Sequence, residues 1–164
     1  MATLYGTLAA ADTYHAERGN TTWTGSDADK DAARLRATEY IDQAYRSSFP
    51  GYKTEQRDQD REWPRSDAFD IEGNYLDHTT VPIEVENATY EASLRELISP
   101  GSLLPDFNPG GQRKRVKVDV IEIEYAAPYG AESVVPIITI IQGILAPVLT
   151  GSLSSGIAGK AERI

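Results

Sequence analysis

The chain's apolar residues recur at helical spacing in three stretches, alternate in a fourth and crowd together in a fifth. The stretch from Trp63 to Ile98 organises the rest. It opens with Trp63-Pro64-Arg65, crosses a polar loop, and is predicted to enter a helix near Thr80-Val81-Pro82. Thr80 is the expected cap and Pro82 suits a first turn, where its missing N–H is not needed. Glu84 and Glu86 suit the positive end of the helix dipole. Ser99-Pro100-Gly101 ends the helix, since proline cannot continue it. At about 100° per residue, Val81, Val85, Ala88 and Ala92 fall on one side, and Ile83, Tyr90, Leu94, Leu97 and Ile98 on the opposite side. Charged residues fill the seams, with Glu84, Glu91 and Arg95 in one and Glu86 and Glu96 in the other. A helix with two apolar faces must be covered twice. Either it is a central core helix, or its large-residue face enters the subunit's own core and its small-residue face meets another subunit.

Two helices are predicted before it. Thr7 to Arg18 has Thr7 as cap, a stripe of Leu8, Ala11 and Tyr14, and Gly19-Asn20 as its end. His15 reads as a surface or packing residue, and Trp23 as a plug between the first two helices. Ser26 opens the second helix with Asp29 in a capping-box arrangement, and the helix runs to about Ser47. Ala33, Ala37, Tyr40, Ile41, Ala44 and Tyr45 share one face, and the alanines permit close approach of another helix. Leu35 points the other way and hints at a second contact. Asp27, Asp29 and Asp31 have the alternation of a calcium loop, but Ala32 and Thr38 stand where its glycine and glutamate are needed. Phe49-Pro50-Gly51 breaks the helix, and Tyr52 to Glu62 reads as a charged, solvated loop. Trp63 then anchors the chain in the core. Arg65 is either a surface charge or a partner for a carboxylate on the central helix.

Beyond the central helix, the prolines and glycines of Pro100 to Gly111 predict a loop. Gln112 to Tyr125 alternates, with Val116, Val118 and Val120 on one face. The phase flips at Ile121, so that Ile121, Ile123 and Tyr125 become the apolar set. That predicts a strand with a bulge or a change of exposed face near Val120-Ile121. Its backbone groups need a partner, either a weak strand of this chain or a neighbouring subunit. Val134 to Leu149 is apolar throughout and longer than a usual strand, so a helix is favoured. Thr150 to Ile164 is rich in glycine and serine and is expected to be disordered alone. The fold class predicted is mainly α: a small helical bundle around a central helix, with a β-strand or hairpin element and an apolar C-terminal segment. Residues 1–133 form the helical domain and 134–164 a docking segment and flexible tail.

Composition narrows the function. With 164 residues, one domain with a modest core is expected. There are no cysteines, so disulfides and thiolate metal sites are excluded. Met1 to Ala11 lacks the pattern of a signal peptide, and the Val134–Leu149 run is too short and too broken to span a membrane. The formal charge of −9 makes a poor general binder of nucleic acid and would repel duplex DNA from a surface it slides past. Phosphate-loop and nucleophile-elbow patterns are missing, and His15 and His78 lack metal-ligand spacing. No catalytic residue, metal or cofactor is expected, and the chain is read as a non-enzyme. The basic run Arg113, Lys114, Arg115 and Lys117 is the one candidate nucleic-acid patch. No aromatic residues interleave it, so an acidic protein partner or protection of a strand edge fits as well.

Several segments together resemble a known family. They are Ala9-Ala10-Ala11-Asp12-Thr13-Tyr14-His15-Ala16-Glu17-Arg18-Gly19-Asn20 with Trp23, and Asp27-Ala28-Asp29-Lys30-Asp31-Ala32-Ala33. Arg36-Ala37-Thr38, Tyr40-Ile41-Asp42, Trp63-Pro64-Arg65, the Val81-Pro82 helix start with Ala88 and Ala92, and Glu122-Ile123-Glu124-Tyr125 continue the pattern. It resembles the head–tail adaptor (head-completion, neck connector) proteins of tailed bacteriophages, some of which carry the label DnaT-like single-stranded-DNA-binding protein. The resemblance implies a structural virion protein at the head–tail interface, assembled in the host bacterial cytoplasm. Its subunits would form a ring, commonly of about twelve copies, between portal and neck or tail-completion proteins, with duplex DNA passing through the lumen. On that reading Val81, Val85, Ala88, Ala92 and Leu35 form the subunit interface, and Ile137, Ile138, Ile141, Leu145 and Leu149 dock on the portal. Trp63, Pro64, Arg65 and Trp23 form the structural motif. The alternative is a DnaT-like single-stranded-DNA-binding replication factor.

Overall fold

The computed structural model describes residues 3–105, 115–118, 121–124 and 138–150. Among these, the chain folds as a mainly α domain of four helices with two small two-stranded sheets. Helix α1 spans Leu8–Glu17, and Thr7 caps it by accepting a hydrogen bond from the Ala10 N–H at 3.1 Å. Helix α2 spans Asp27–Tyr45. Its capping box is complete: Ser26 Oγ accepts from the Asp29 N–H at 3.2 Å, and Asp29 Oδ2 accepts from the Ser26 N–H at 3.4 Å.

Helix α3, Ile83–Ile98, is the centre of the domain and packs on α2, α4 and α1. Its N-terminus differs from expectation. Pro82, not Thr80, is the N-cap residue, and no side chain caps the helix. The C-terminal end is closed by Glu96, whose buried carboxylate accepts from the N–H groups of Gly101 at 2.7 Å and Leu103 at 3.0 Å. Arg36 of α2 donates to the same carboxylate at 2.8 Å. These bonds fold the chain after Ser99 back on the helix and carry Leu103 into the core.

Both faces of α3 are covered, and both by this chain. Val85, Ala88 and Ala92 are fully buried against Ala37, Tyr40 and Ile41 of α2 and against α4, with Val81 partly buried beside them. Of the two readings the sequence left open, α3 is the central core helix, with Val85, Ala88 and Ala92 enclosed by this chain rather than offered to a second subunit. Small residues there let helices of the same chain approach closely. The opposite face sends Tyr90, Leu94 and Leu97 to Ala11, Tyr14 and Trp23, while Ile83 and Ile98 at its two ends stay exposed. Leu35 is half-buried.

Helix α4, Thr139–Leu145, continues into a 3₁₀ turn at Ala146–Val148. Ile141, Leu145 and Val148 are buried in the main core, and Ile138 and Leu149 pack against it. The apolar C-terminal run is thus a wall of the domain. Of the residues expected to dock on the portal, Ile141 and Leu145 are fully buried in this chain's own core, Ile138 and Leu149 are partly buried against it, and Ile137 lies outside the described residues.

The alternating segment is an antiparallel hairpin. Strand β3, Arg115–Val118, pairs with strand β4, Ile121–Glu124. The sequence left a bulged strand, a change of exposed face and a hairpin open; the pairing of Val118 with Ile121 shows the hairpin. The partner expected from a weak strand or another subunit is the second half of the same segment. The charged loop after α2 also contains structure. Strand β1, Tyr52–Lys53, pairs antiparallel with β2, Arg65–Ser66, around a 3₁₀ turn at Gln56–Asp58.

Candidate functional site

The β1–β2 pair is built around a close backbone approach. Gly51 has φ +63°, and a Cβ there would lie 2.1 Å from the Ser66 carbonyl oxygen, so only glycine lets the chain turn into β1. Arg65 closes the turn from inside. It is buried, donates to the Pro50 carbonyl at 2.6 Å and the Gly51 carbonyl at 2.8 Å, and pairs with Glu62 at 2.9 Å. Arg65 is thus neither the surface charge nor the partner of a central-helix carboxylate that the sequence offered; it is held by Glu62 and two carbonyls. The Trp63-Pro64 peptide is cis, and Trp63 is buried edge-on against Phe49 at 5.4 Å.

A short hairpin follows over residues 68–76. The Leu76 N–H donates to the Ala68 carbonyl at 2.9 Å, the Asp70 N–H to the Asn74 carbonyl at 3.0 Å, and Phe69 faces Tyr75 across a β-bridge. Asp70 ties the tip, accepting from the N–H groups of Glu72 at 2.9 Å and Asn74 at 2.8 Å. Those bonds and the Asn74 amide hold its carboxyl below the usual carboxylate range. The Ile71 N–H donates to the Pro147 carbonyl at 2.9 Å, which fastens the hairpin to the turn after α4.

This scaffold displays a cluster of exposed rings. Tyr52, Phe69 and Tyr75 are each about half exposed, at 52, 50 and 54 %. Phe69 and Tyr75 meet edge to face at 5.7 Å; Tyr75 and His78 lie 6.4 Å apart, their hydroxyl and Nδ1 within 3.0 Å. The Tyr52 hydroxyl bonds Asp67, whose negative charge raises its pKa. Thr79 holds the Asp77 carboxyl below its usual range by hydrogen bonding, so this border is anionic at neutral pH.

A cleft of about 450 Å³ adjoins the rings through His78. Glu55, Asp58 and Asp60 give it an acidic side, with Gln59, Arg61 and Trp63 among its other walls. Its one cation is engaged. Arg61 donates to the Thr3 carbonyl at 2.9 Å and lies 3.7 Å from Asp42 and 3.9 Å from Glu39. The buried Trp63 indole N–H has no hydrogen-bond partner. Lys53 of β1 donates to the Gln59 carbonyl at 2.7 Å.

The residues singled out from the sequence are placed elsewhere. Trp63, Pro64 and Arg65 support the ring-bearing region from below. Trp23 packs in a separate cluster with Ala11, Tyr14 and Tyr90, tilted against His15 at 4.3 Å, with its indole N–H donating to Asp12 at 2.7 Å. Of the basic run, Arg113 and Lys114 lie outside the described residues; Arg115 and Lys117 occupy β3, in register with Glu124 and Glu122. No group of three or more metal-ligating side chains occurs among the described residues. Sequence reasoning missed Tyr52, Phe69, Tyr75 and His78. The available signal was four rings within a polar stretch that has no helical period in which to bury them.

A family model described as "Putative DnaT-like ssDNA binding protein" matches residues 2–164, so the chain belongs to that family. No curated protein and no solved structure gives a significant match. The family match corrects the expected membership among head–tail adaptors. With it fall the structural virion role and the portal, tail and lumenal duplex-DNA partners. Of the residues that suggested an adaptor, Ala88 and Ala92 are helix-packing positions and Trp63 is a core anchor of the loop before β2. Packing positions specify how helices meet and carry no information about a partner.

Proposed function

We propose that this member of the DnaT-like family binds single-stranded DNA. The observation that carries the reading is the family match over residues 2–164. The ring cluster supports it, because an unpaired base stacks on an exposed aromatic face whatever its identity, whereas a duplex keeps its bases stacked inside. The charge of −9 sets the character of the binding. Few phosphates are neutralised, so affinity depends only weakly on salt. Binding, rather than chemistry on the strand, is the proposed activity.

Anisotropy of a labelled short single strand, titrated with the full chain at low salt, tests this. Saturable binding is expected, with a duplex of the same sequence bound far more weakly. A strand that shows no saturable binding, or a duplex bound equally well, overturns the proposal.

A further inference from the structure

Resting on that reading, we infer that the strand is held by its bases on the Tyr52–Phe69–Tyr75–His78 surface and that the acidic cleft beside it reads amino groups on those bases. Most single-strand grooves track the phosphate backbone with lysine and arginine. This surface is built the other way round. Asp67, Asp70, Glu72 and Asp77 lie within or between the ring-bearing segments, and Glu55, Asp58 and Asp60 line the adjoining cleft. Three of the neighbouring cations are engaged, since Arg65 is enclosed by carbonyls and Glu62, Arg61 is bonded to Thr3 and paired with Asp42, and Lys53 reaches Gln59; Arg57 is exposed in the 3₁₀ turn, flanked by Glu55 and Asp58, and is outnumbered by the carboxylates.

Phosphates brought against this border meet like charge, so the backbone faces solvent and the bases face the protein. An ionised carboxylate only accepts hydrogen bonds. Adenine, cytosine and guanine each present an exocyclic amino group that donates two, whereas an unpaired thymine offers a carboxylate only its N3–H, flanked by two carbonyl oxygens that repel it. Carboxylates beside the stacking rings therefore favour amino-bearing bases. One hydrogen-bonded base contact supports a preference of about tenfold.

Competition titrations with homopolymers of deoxycytidine, deoxyadenosine and thymidine of equal length test this on the full chain. Thymidine strands are expected to bind about tenfold more weakly than deoxycytidine strands. Tyr75→Ala, at a half-exposed site, is expected to weaken deoxycytidine binding about tenfold with an unchanged thermal midpoint. The double variant Asp58→Asn with Asp60→Asn is expected to erase the base preference. If that variant instead raises affinity for all strands equally, the carboxylates only repel phosphate and base reading is overturned. If the wild-type chain binds a strand and Tyr75→Ala leaves that binding unchanged, the site is overturned while single-strand binding stands. A lysine-rich peptide that binds the wild-type chain but not Tyr75→Ala, and that no strand displaces, assigns the surface to a basic protein and also overturns it. A wild-type chain that binds no strand overturns the proposed function itself.

Discussion

The helical body and the 52–78 region use aromatic side chains in opposite ways. In the body, Tyr5 and Tyr14 bury their rings and donate their hydroxyls to Asp42 and Glu91. Burial and the nearby carboxylate push the Tyr14 hydroxyl up to about 12 and the Tyr5 hydroxyl higher still, so both stay protonated donors. Tyr90 presses its hydroxyl so close to Gly6 that a Cβ there would lie 1.9 Å away. In the 52–78 region the rings of Tyr52, Phe69 and Tyr75 remain half in solvent. Each forgoes roughly 1 kcal/mol of burial energy. The scaffold beneath them is nevertheless exact in its hydrogen bonding, with Arg65 and Asp70 each fixing a turn. Ordered support under unburied rings separates a presented surface from a loose loop.

The largest test of this contrast is Trp63→Ala, which removes the buried ring between body and platform. It is expected to cost about 3–5 kcal/mol in urea unfolding. A loss under about 1 kcal/mol would mean that the platform folds independently of the core. A smaller effect concerns the body alone. Burial holds the His15 imidazole below its usual pKa, so it is neutral in the folded protein at neutral pH, with Nε2 unpaired. The unfolded chain takes up that proton more readily, so stability is complete above pH 6.5 and declines as pH falls below it. Melts between neutral and mildly acidic pH should show a falling midpoint, and His15→Gln should flatten the slope. An unchanged slope would assign the acid sensitivity to another group. The smallest effect belongs to the platform: Phe69→Ala is expected to change stability by less than about 0.5 kcal/mol. A loss of about 2 kcal/mol would show that this ring is core rather than surface.

How legible these features were depends on how local their causes are. Thr7 and the Ser26–Asp29 pair were readable because a cap bonds an N–H three residues away. The hairpin of β3 and β4 was half readable. Alternation showed the strands, but a phase flip looks the same for a bulge and for a tight reversal, and pairing decides between them. Arg65 was recognised as important without its partners, since the carbonyls of Pro50 and Gly51 reach it only through the Gly51 turn. The ring surface was not visible, because exposure is a property of what the rest of the chain fails to cover.

The sequence by itself determined the capped starts of α1 and α2, that α3 has two apolar faces, and that no thiol chemistry is present, all of which follow from spacing and residue type. Only the tertiary structure decided that α1, α2 and α4 cover both faces of α3, and that the apolar C-terminal run closes the core. It also decided that Tyr52, Phe69 and Tyr75 are left outside. Periodicity states that a face must be buried; which segment buries it depends on shape complementarity between positions far apart in the chain.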